Sequence, residues 1–563
     1  MMKTRMRFIL VAAIALAGIA IFQSLFVGCS KENADTTYIN GNIYTVDENF
    51  SRVEALVIRG DRIVYAGDSI TAQEAYKAST TVDIAGRTVV PGLIDSHLHY
   101  QLIGSFLDRI DIFQKSKEEI LSLVAGEAAR LGPGKWIVSM GWNNVLWGED
   151  YPTKEELDAV APDNPVALSR VDGHSTWYNS MSLRLAGIDR NTPNPRGGEI
   201  LKKPNGDVWG ILTDNASGLV YAVIEDDTAP ERVLSRFSLA DQAIISYGIT
   251  TLVDAGESWE NIKVLRSGYE AGTLHVRAYE MLSNGSDIPY IAEGNRPTTD
   301  VFGDGRLAIN AVKLVSDGAL GSRSAWLLSD YTDRPGHVGN GRLTNEEANA
   351  VVKRVADEGF QIGAHAIGDA AVQQIINAYV VAVGEENLRD RRFRIEHYQI
   401  VNAHDISRTI RLGIIPSMQT VHATSDMNMA EDRVGPVRIL SSYAWRTIVD
   451  LGGYIANGTD APVELVNPYY NLYAAVSRQD RSGQPPSAWY PEQALRREEA
   501  LRSYTIWGAH AIFAEGNRGS LEAGKYADFV VLDRDYMTCP TSEIDDITAL
   551  RTVIGGKVVY QSP

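Results

Sequence analysis

The chain has 563 residues, 44% of them hydrophobic and 22% charged, a globular composition with material for a large core that excludes a disordered protein. A formal net charge of −18 excludes nucleic acid and anionic lipid headgroups as electrostatic partners. Only Cys29 and Cys539 are present, which excludes a disulfide framework and thiolate metal chemistry.

Lys3, Arg5 and Arg7 precede an apolar stretch from Phe8 to Gly28, interrupted near its end by Gln23 and Ser24. That order is a secretory signal pattern, so residues 1–28 are expected to be removed. The stretch ends in Phe26-Val27-Gly28-Cys29-Ser30, which resembles the lipobox of bacterial lipoproteins, although Phe26 stands where leucine is usual. The resemblance implies a lipid on Cys29 and a place in the cell envelope, at the outer membrane or the periplasmic face. The competing reading is an uncleaved anchor, since the 21 residues from Phe8 to Gly28 nearly span a bilayer. Cleavage removes three positive charges and no negative ones, taking the net charge from −18 to −21. Membrane association would then rest on the lipid alone. Residues 29–35 read as a short polar tether.

From residue 36 the chain gives brief strands broken by glycine turns, Tyr38 to Tyr44 and then Ala55 to Tyr65, the pattern of hairpins. The other end repeats the style in Asp528 to Leu532 and Thr552 to Tyr560. Residues 36–90 and 511–563 are therefore predicted to form one small β-sandwich domain built from both chain ends.

The middle, residues 91–510, alternates short apolar runs with helical stretches, as repeated βα units on a parallel sheet do. Predicted strands are Val89 to Ile94, Thr250 to Asp254, His275 to Met281, Ile309 to Val315, Phe360 to Ala364, Arg394 to His397, Gly413 to Met418 and Gly453 to Ala456. Eight such strands suit an α/β fold of the TIM (β/α)8 type, which devotes about 30 residues to each unit. His365 and His397 are 32 residues apart, one unit, and His397 and Asp460 are 63 apart, two units. The first unit is longer, and residues from about 120 to about 230, rich in Trp, Pro and Gly, read as an insertion able to cover the barrel mouth.

The chemistry clusters at predicted strand ends, where barrel enzymes place catalytic residues. In Asp95-Ser96-His97-Leu98-His99, strand alternation sends both imidazoles to one face, so both can bind one cation. Lys313 lies near the end of the fourth strand, His365 and His397 close the fifth and sixth, and Asp460 follows the eighth. A single histidine is more often packing than ligand; six such residues at one rim point to a metal centre.

With these residues in view, the chain resembles the amidohydrolase superfamily and, within it, the YtcJ-like group that includes N-substituted formamide deformylases. The resemblance rests on Val90 to His99, Val312 to Arg323, His365-Ala366-Ile367-Gly368-Asp369, Ile395-Glu396-His397 and Gly458 to Val463, and extends over nearly all of the mature chain. It implies two divalent metal ions, normally zinc, with His97 and His99 on one, His365 and His397 on the other, and Asp460 as a further ligand. Lys313 would bridge them as a carbamate formed with carbon dioxide, exchanging a positive charge for a negative one beside two dications. The alternative for Lys313 is an unmodified ammonium paired with Asp317 or another carboxylate, leaving a mononuclear site on His97, His99 and one further group.

The implied reaction is cleavage of a carbon–nitrogen amide bond in a small-molecule N-substituted formamide or N-acyl compound by a metal-bridging hydroxide, with Asp460 moving the proton. His174, in Val171 to Trp177 of the insertion, resembles a family segment that approaches the site. It either donates to the substrate carbonyl or structures its loop. Trp142, Trp147 and Trp177 either wall the pocket or pack the insertion, and Arg323 either faces substrate or pairs with an acid. His404, His422 and His510 sit in no motif and read as structural.

Rival readings are cyclic amide, carbamate or deaminase-type hydrolysis on the same metals, and a non-catalytic binding lipoprotein. Ala366-Ile367-Gly368-Asp369 lacks the glutamate that superfamily deaminases place after the fifth-strand histidine, and no cysteine lies near the barrel to match the D-aminoacylase arrangement. The oligomeric state stays open, a homodimer being one option.

Overall fold

The computed structural model describes residues 31–113, 115–148, 151–224 and 229–563. The predicted signal peptide and the lipid site at Cys29 lie outside the described residues. Eight parallel strands run in chain order: β1 (Leu93–Leu98), β2 (Ile249–Glu257), β3 (Arg277–Ser283), β4 (Leu307–Val315), β5 (Gln361–Ala366), β6 (Arg394–His397), β7 (Ile415–Met418) and β8 (Ala456–Asn457). The architecture is a TIM barrel. Buried on both faces, the strands read as apolar runs: Leu252, Val253, Val312, Leu314 and Ile362 are all nearly or fully inaccessible.

The seam between β8 and β1 is closed by side chain as well as backbone. Asp95 accepts from Thr459 N at 3.0 Å and Thr459 Oγ1 at 2.7 Å, and Asp460 N donates to His97 O at 2.7 Å. Gly458 is required here because a Cβ would lie 2.5 Å from His97 N. The Asp95 carboxylate thus ties the loop bearing Asp460 to the strand bearing His97 and His99.

The predicted first strand, Val89 to Ile94, is two elements. Thr88–Pro91 pairs with Phe529–Leu532 in a six-stranded sheet, and the barrel begins at Leu93. Gly92 makes the break, since a Cβ there would collide with the Thr250 side chain. A second, four-stranded sheet holds Glu32–Ile39, Ala55–Arg59, Arg62–Gly67 and Tyr76–Asp83. Both sheets contribute to one apolar cluster that includes Tyr38, Leu56, Ile58, Val89, Phe529 and Val553.

The tether reading is corrected over residues 32–35. Glu32 already pairs with Tyr76, opening a strand parallel to Tyr76–Asp83. Backbone pairing at the surface tolerates the polar Glu32-Asn33-Ala34-Asp35 sequence, and only Ala34 among these four turns inward and is buried.

The insertion forms its own five-stranded sheet from Ile137–Trp142, Val166–Arg170, Ser175–Tyr178, Ile200–Lys202 and Val208–Thr213. Trp142 and Trp177 are fully buried in its core, with Trp142 stacked on Trp147 at 6.0 Å. Their indole N–H groups donate to Leu168 O at 2.6 Å and Thr153 O at 2.8 Å. These tryptophans pack the insertion and do not wall the cavity.

Candidate active site

A cavity of about 790 Å³ opens at the carboxyl ends of the barrel strands, between the rim and the insertion. His99, Lys313, His365, His397, Asp460 and His174 line it, and His97 lies fully buried beneath. The six residues of the predicted ligand set therefore converge. Ring centroids are 5.6 Å apart for His97 and His99, 4.8 Å for His97 and His397, and 4.5 Å for His365 and His397.

Each imidazole has one nitrogen engaged outside the cluster or faces the shared carboxylate. His97 Nδ1 donates to Glu396 Oε2 at 2.6 Å, leaving Nε2 3.4 Å from Asp460 Oδ1. His99 Nε2 lies 3.3 Å from the same oxygen. His397 Nδ1 bonds Gln419 Oε1 at 2.9 Å, and His365 Nε2 faces Gly318 O at 3.3 Å and Asp317 Oδ1 at 3.4 Å. This is how metal-binding histidines are oriented from behind. Burial pushes His99 and His397 down from the ordinary imidazole value and His365 down to about 4, so their lone pairs stay unprotonated.

Asp460 collects this geometry. Burial alone would raise its carboxyl, but the adjacent His97 and His99 rings hold it well below the usual carboxylate range. Its buried Oδ1 has no hydrogen-bond partner, an arrangement costly without a cation. One ligand atom from each of His97, His397 and Asp460 lies within 4.8 Å of the others. Donor types, neutral rings and an orphaned carboxylate oxygen fit a divalent metal centre. The backbone adds strain: φ is +73° at His397 and +58° at Asp460, left-handed conformations costing on the order of 1–3 kcal/mol each that cluster at functional sites.

Lys313 is 7% exposed. Its Nζ lies 3.5 Å from His97 Nε2 and 3.4 Å from Ala255 O, and no ion pair links it to a carboxylate among the described residues. Burial lowers its pKa. The alternative partner Asp317 is engaged elsewhere, accepting from Ile367 N at 3.0 Å and from Gly368 N and Trp326 N at 2.8 Å.

His174 overhangs the site from the insertion, its ring 5.0 Å from that of His365. Nδ1 bonds Asp214 Oδ1 at 2.7 Å, and Arg342 donates to the same oxygen at 2.9 Å. Arg323 pairs with Asp333 at 2.9 Å and does not line the cavity.

Two residues gain a place here that the sequence did not give them. His422, read as structural, lines the cavity, stacks on His397 at 5.9 Å, and puts Nε2 3.6 Å from Asp460 Oδ2. Its position just beyond the seventh strand was the available signal, because barrel active sites recruit that loop. Glu396 stood inside a quoted motif without a role. Arg394 Nε donates to its Oε1 at 2.8 Å, and the guanidinium also reaches Ser96 O and Ser417 Oγ. Burial would raise Glu396, yet Arg394 and His97 hold it well below the ordinary value, a charged support for His97.

Glu396→Gln should leave the Arg394 guanidinium buried without its counter-charge. A loss of about 3–5 kcal/mol in stability is expected, with metal affinity weakened about 10- to 100-fold. Denaturant unfolding and metal titration check this, and unchanged metal affinity would refute the supporting role.

A histidine and carboxylate cluster at the carboxyl rim of a (β/α)8 barrel, under an inserted cover, defines the metal-dependent hydrolase class of barrel. The amidohydrolase family profile matches residues 80–560, and the chain belongs to that family. It is 30% identical over 533 residues to a Bacillus subtilis (strain 168) amidohydrolase named YtcJ, covering 92% of this chain and 98% of that one. It is 28% identical over 549 residues to the N-substituted formamide deformylase of Arthrobacter pascens, covering 94% and 98%. The crystal structure of an uncharacterized metal-dependent hydrolase from Pyrococcus furiosus superposes with a TM-score of 0.69 at 28% identity, covering 89% of this chain and all of that one.

Proposed function

We propose that the protein hydrolyses a linear carbon–nitrogen amide bond, other than a peptide bond, in an N-substituted formamide or N-acyl compound. The observation that carries this reading is the buried, unpartnered Asp460 Oδ1 facing His97 and His99 beside a cavity of about 790 Å³. Similarity along nearly the whole chain to a formamide deformylase supports the formamide end of the range. Divalent ions, zinc in our assignment, would be held by His97, His99, His365, His397, Asp460 and a Lys313 carbamate. When bound they polarise a carbonyl and bring the pKa of water to about 7.

The chain's own groups do the rest. Asp460, aimed into the cavity, carries a proton from water to the leaving amine nitrogen. His174, oriented by the bond between its Nδ1 and Asp214, contacts the substrate carbonyl. The insertion covers the mouth and limits water. Lipid on Cys29 would hold the enzyme at the cell envelope.

His174→Ala should lower kcat about 100-fold or more with metal content unchanged; intact kcat would remove it from the reaction. The function itself is tested by dialysis against chelator, restoration of zinc, and assay of formamides, N-acyl amino acids and cyclic imides. Zinc-dependent cleavage of the linear amides is expected. Cleavage of cyclic imides alone, or metal-independent binding without product, would overturn the reading.

A further inference from the structure

The amide-hydrolase reading accounts for the floor of the cavity and leaves one wall without a task. That wall comes from the helix Thr420–Asp426 and the loop after Asp460, which bring Asp426 and Glu464 to the cavity. Both carboxylates are held by neutral donors. Ser425 Oγ donates to Glu464 Oε1 at 2.5 Å, while Gln399 Nε2 and Tyr443 Oη donate to Asp426 Oδ2 at 2.9 and 2.6 Å. Neither makes an ion pair with lysine or arginine among the described residues. Arg170, which also lines the cavity, is spent on Asp172 at 2.6 Å, Asn143 at 2.9 Å and Asn144 at 3.1 Å.

A second observation points to a ligand at the same wall. His422 is 8% exposed, and its Nε2 has no hydrogen-bond partner although it lines the cavity. Buried polar groups of this kind are satisfied by something in nearly every folded protein. Met429 and Val463 add apolar surface beside it, suited to the methylene stem of an alkylamine. Burial pushes both Asp426 and Glu464 up, as expected of anions short of a counter-charge.

We propose that Asp426, Glu464 and His422 form a subsite for an ammonium group, so that the substrate is an N-acylated or N-formylated amine with a second, cationic nitrogen on its leaving-amine side. The side follows from Asp460: His422 Nε2 lies 3.6 Å from Asp460 Oδ2, the group assigned to the leaving nitrogen. Two carboxylates and one imidazole acceptor match the three N–H donors of a primary ammonium. This rests on the amide-hydrolase reading, and the test separates the two.

N-formylhexylamine and mono-N-formylhexamethylenediamine differ only by the terminal ammonium. With zinc-loaded enzyme the cationic formamide should show kcat/KM about tenfold or more above the neutral one. That ratio should fall toward one in Glu464→Gln and in Asp426→Asn, two conservative variants whose folding is checked by circular dichroism. Equal kcat/KM for the two formamides in the wild type, or a ratio unchanged in both variants, overturns the subsite. If neither formamide is cleaved, calorimetric binding of hexylammonium against hexanol decides. A preference for the cation that Glu464→Gln abolishes upholds the subsite and sinks the formamide reading, whereas absence of preference sinks the subsite.

Discussion

Asp460→Asn should lower turnover by about 10²- to 10⁴-fold while leaving the fold intact. Asparagine is a clean probe at this position. Asp460 has φ +58°, and Asn is among the residues that visit left-handed backbone most readily, so the change adds no new strain. It preserves an oxygen for ligation and the backbone bond from residue 460 N to His97 O. What it removes is the carboxylate that His97 Nε2 and His99 Nε2 approach at 3.4 and 3.3 Å, and with it the capacity to accept and pass on a proton. Steady-state kinetics, metal analysis and Tm on one preparation check the point. Normal turnover would remove Asp460 from the proton path.

Lys313→Ala is expected to lose turnover by about a thousandfold or more, equivalent to the several kcal/mol that bridged ions contribute, together with about one equivalent of metal. The reason lies in the environment. An ammonium at 7% exposure, with only a histidine and a carbonyl within hydrogen-bond distance among the described residues, is poorly solvated, and burial favours the neutral amine. A neutral amine can attack carbon dioxide, forming the N–C bond and releasing one proton, which converts the side chain into an anion. Gly256 helps to hold the stem in place, since a Cβ there would lie 3.1 Å from Lys313 Cβ and Cγ. Short carboxylic acids should restore part of the activity to Lys313→Ala by supplying the missing anion. A variant that keeps full metal content and rate would refute the bridge.

The barrel was legible because strands covered on both faces must be apolar, and eight such runs at regular spacing have few other solutions. The strand ends and the loop at Asp460 then put His97, His99, Lys313, His365, His397 and Asp460 at one rim. What escaped was set by contacts distant in sequence. Periodicity does not reveal that the apolar run from Thr88 to Leu98 belongs to two sheets, because the break depends on Gly92 meeting Thr250. The eighth strand, expected at Gly453 to Ala456, lies at Ala456–Asn457, a span too short to carry a pattern and defined by its pairing with Ile415–Met418. The polar start of Glu32–Ile39 looked like a linker because its backbone partner lies more than 40 residues away.

The site shows the same division. Ligands announced themselves by residue type and spacing, whereas their supports did not. Glu396 supports His97 from 299 positions away, a relation no local pattern encodes. His422 looked like any helical histidine until the barrel closed and brought it beside His397 and Asp460. Trp142 and Trp177 stayed undecided in the sequence, since large aromatics in an insertion suit a pocket wall and a core equally well. Here the insertion's own sheet claims them.

The proposal that this rim holds two cations sharing Lys313 is decided by anomalous diffraction at the zinc edge from zinc-loaded crystals. Two peaks are expected, one at His97 and His99 and one at His365 and His397, with continuous density from Lys313 Nζ to both. A single peak at His97, His99 and Asp460, with Lys313 ending in a free ammonium, would refute the bridged pair.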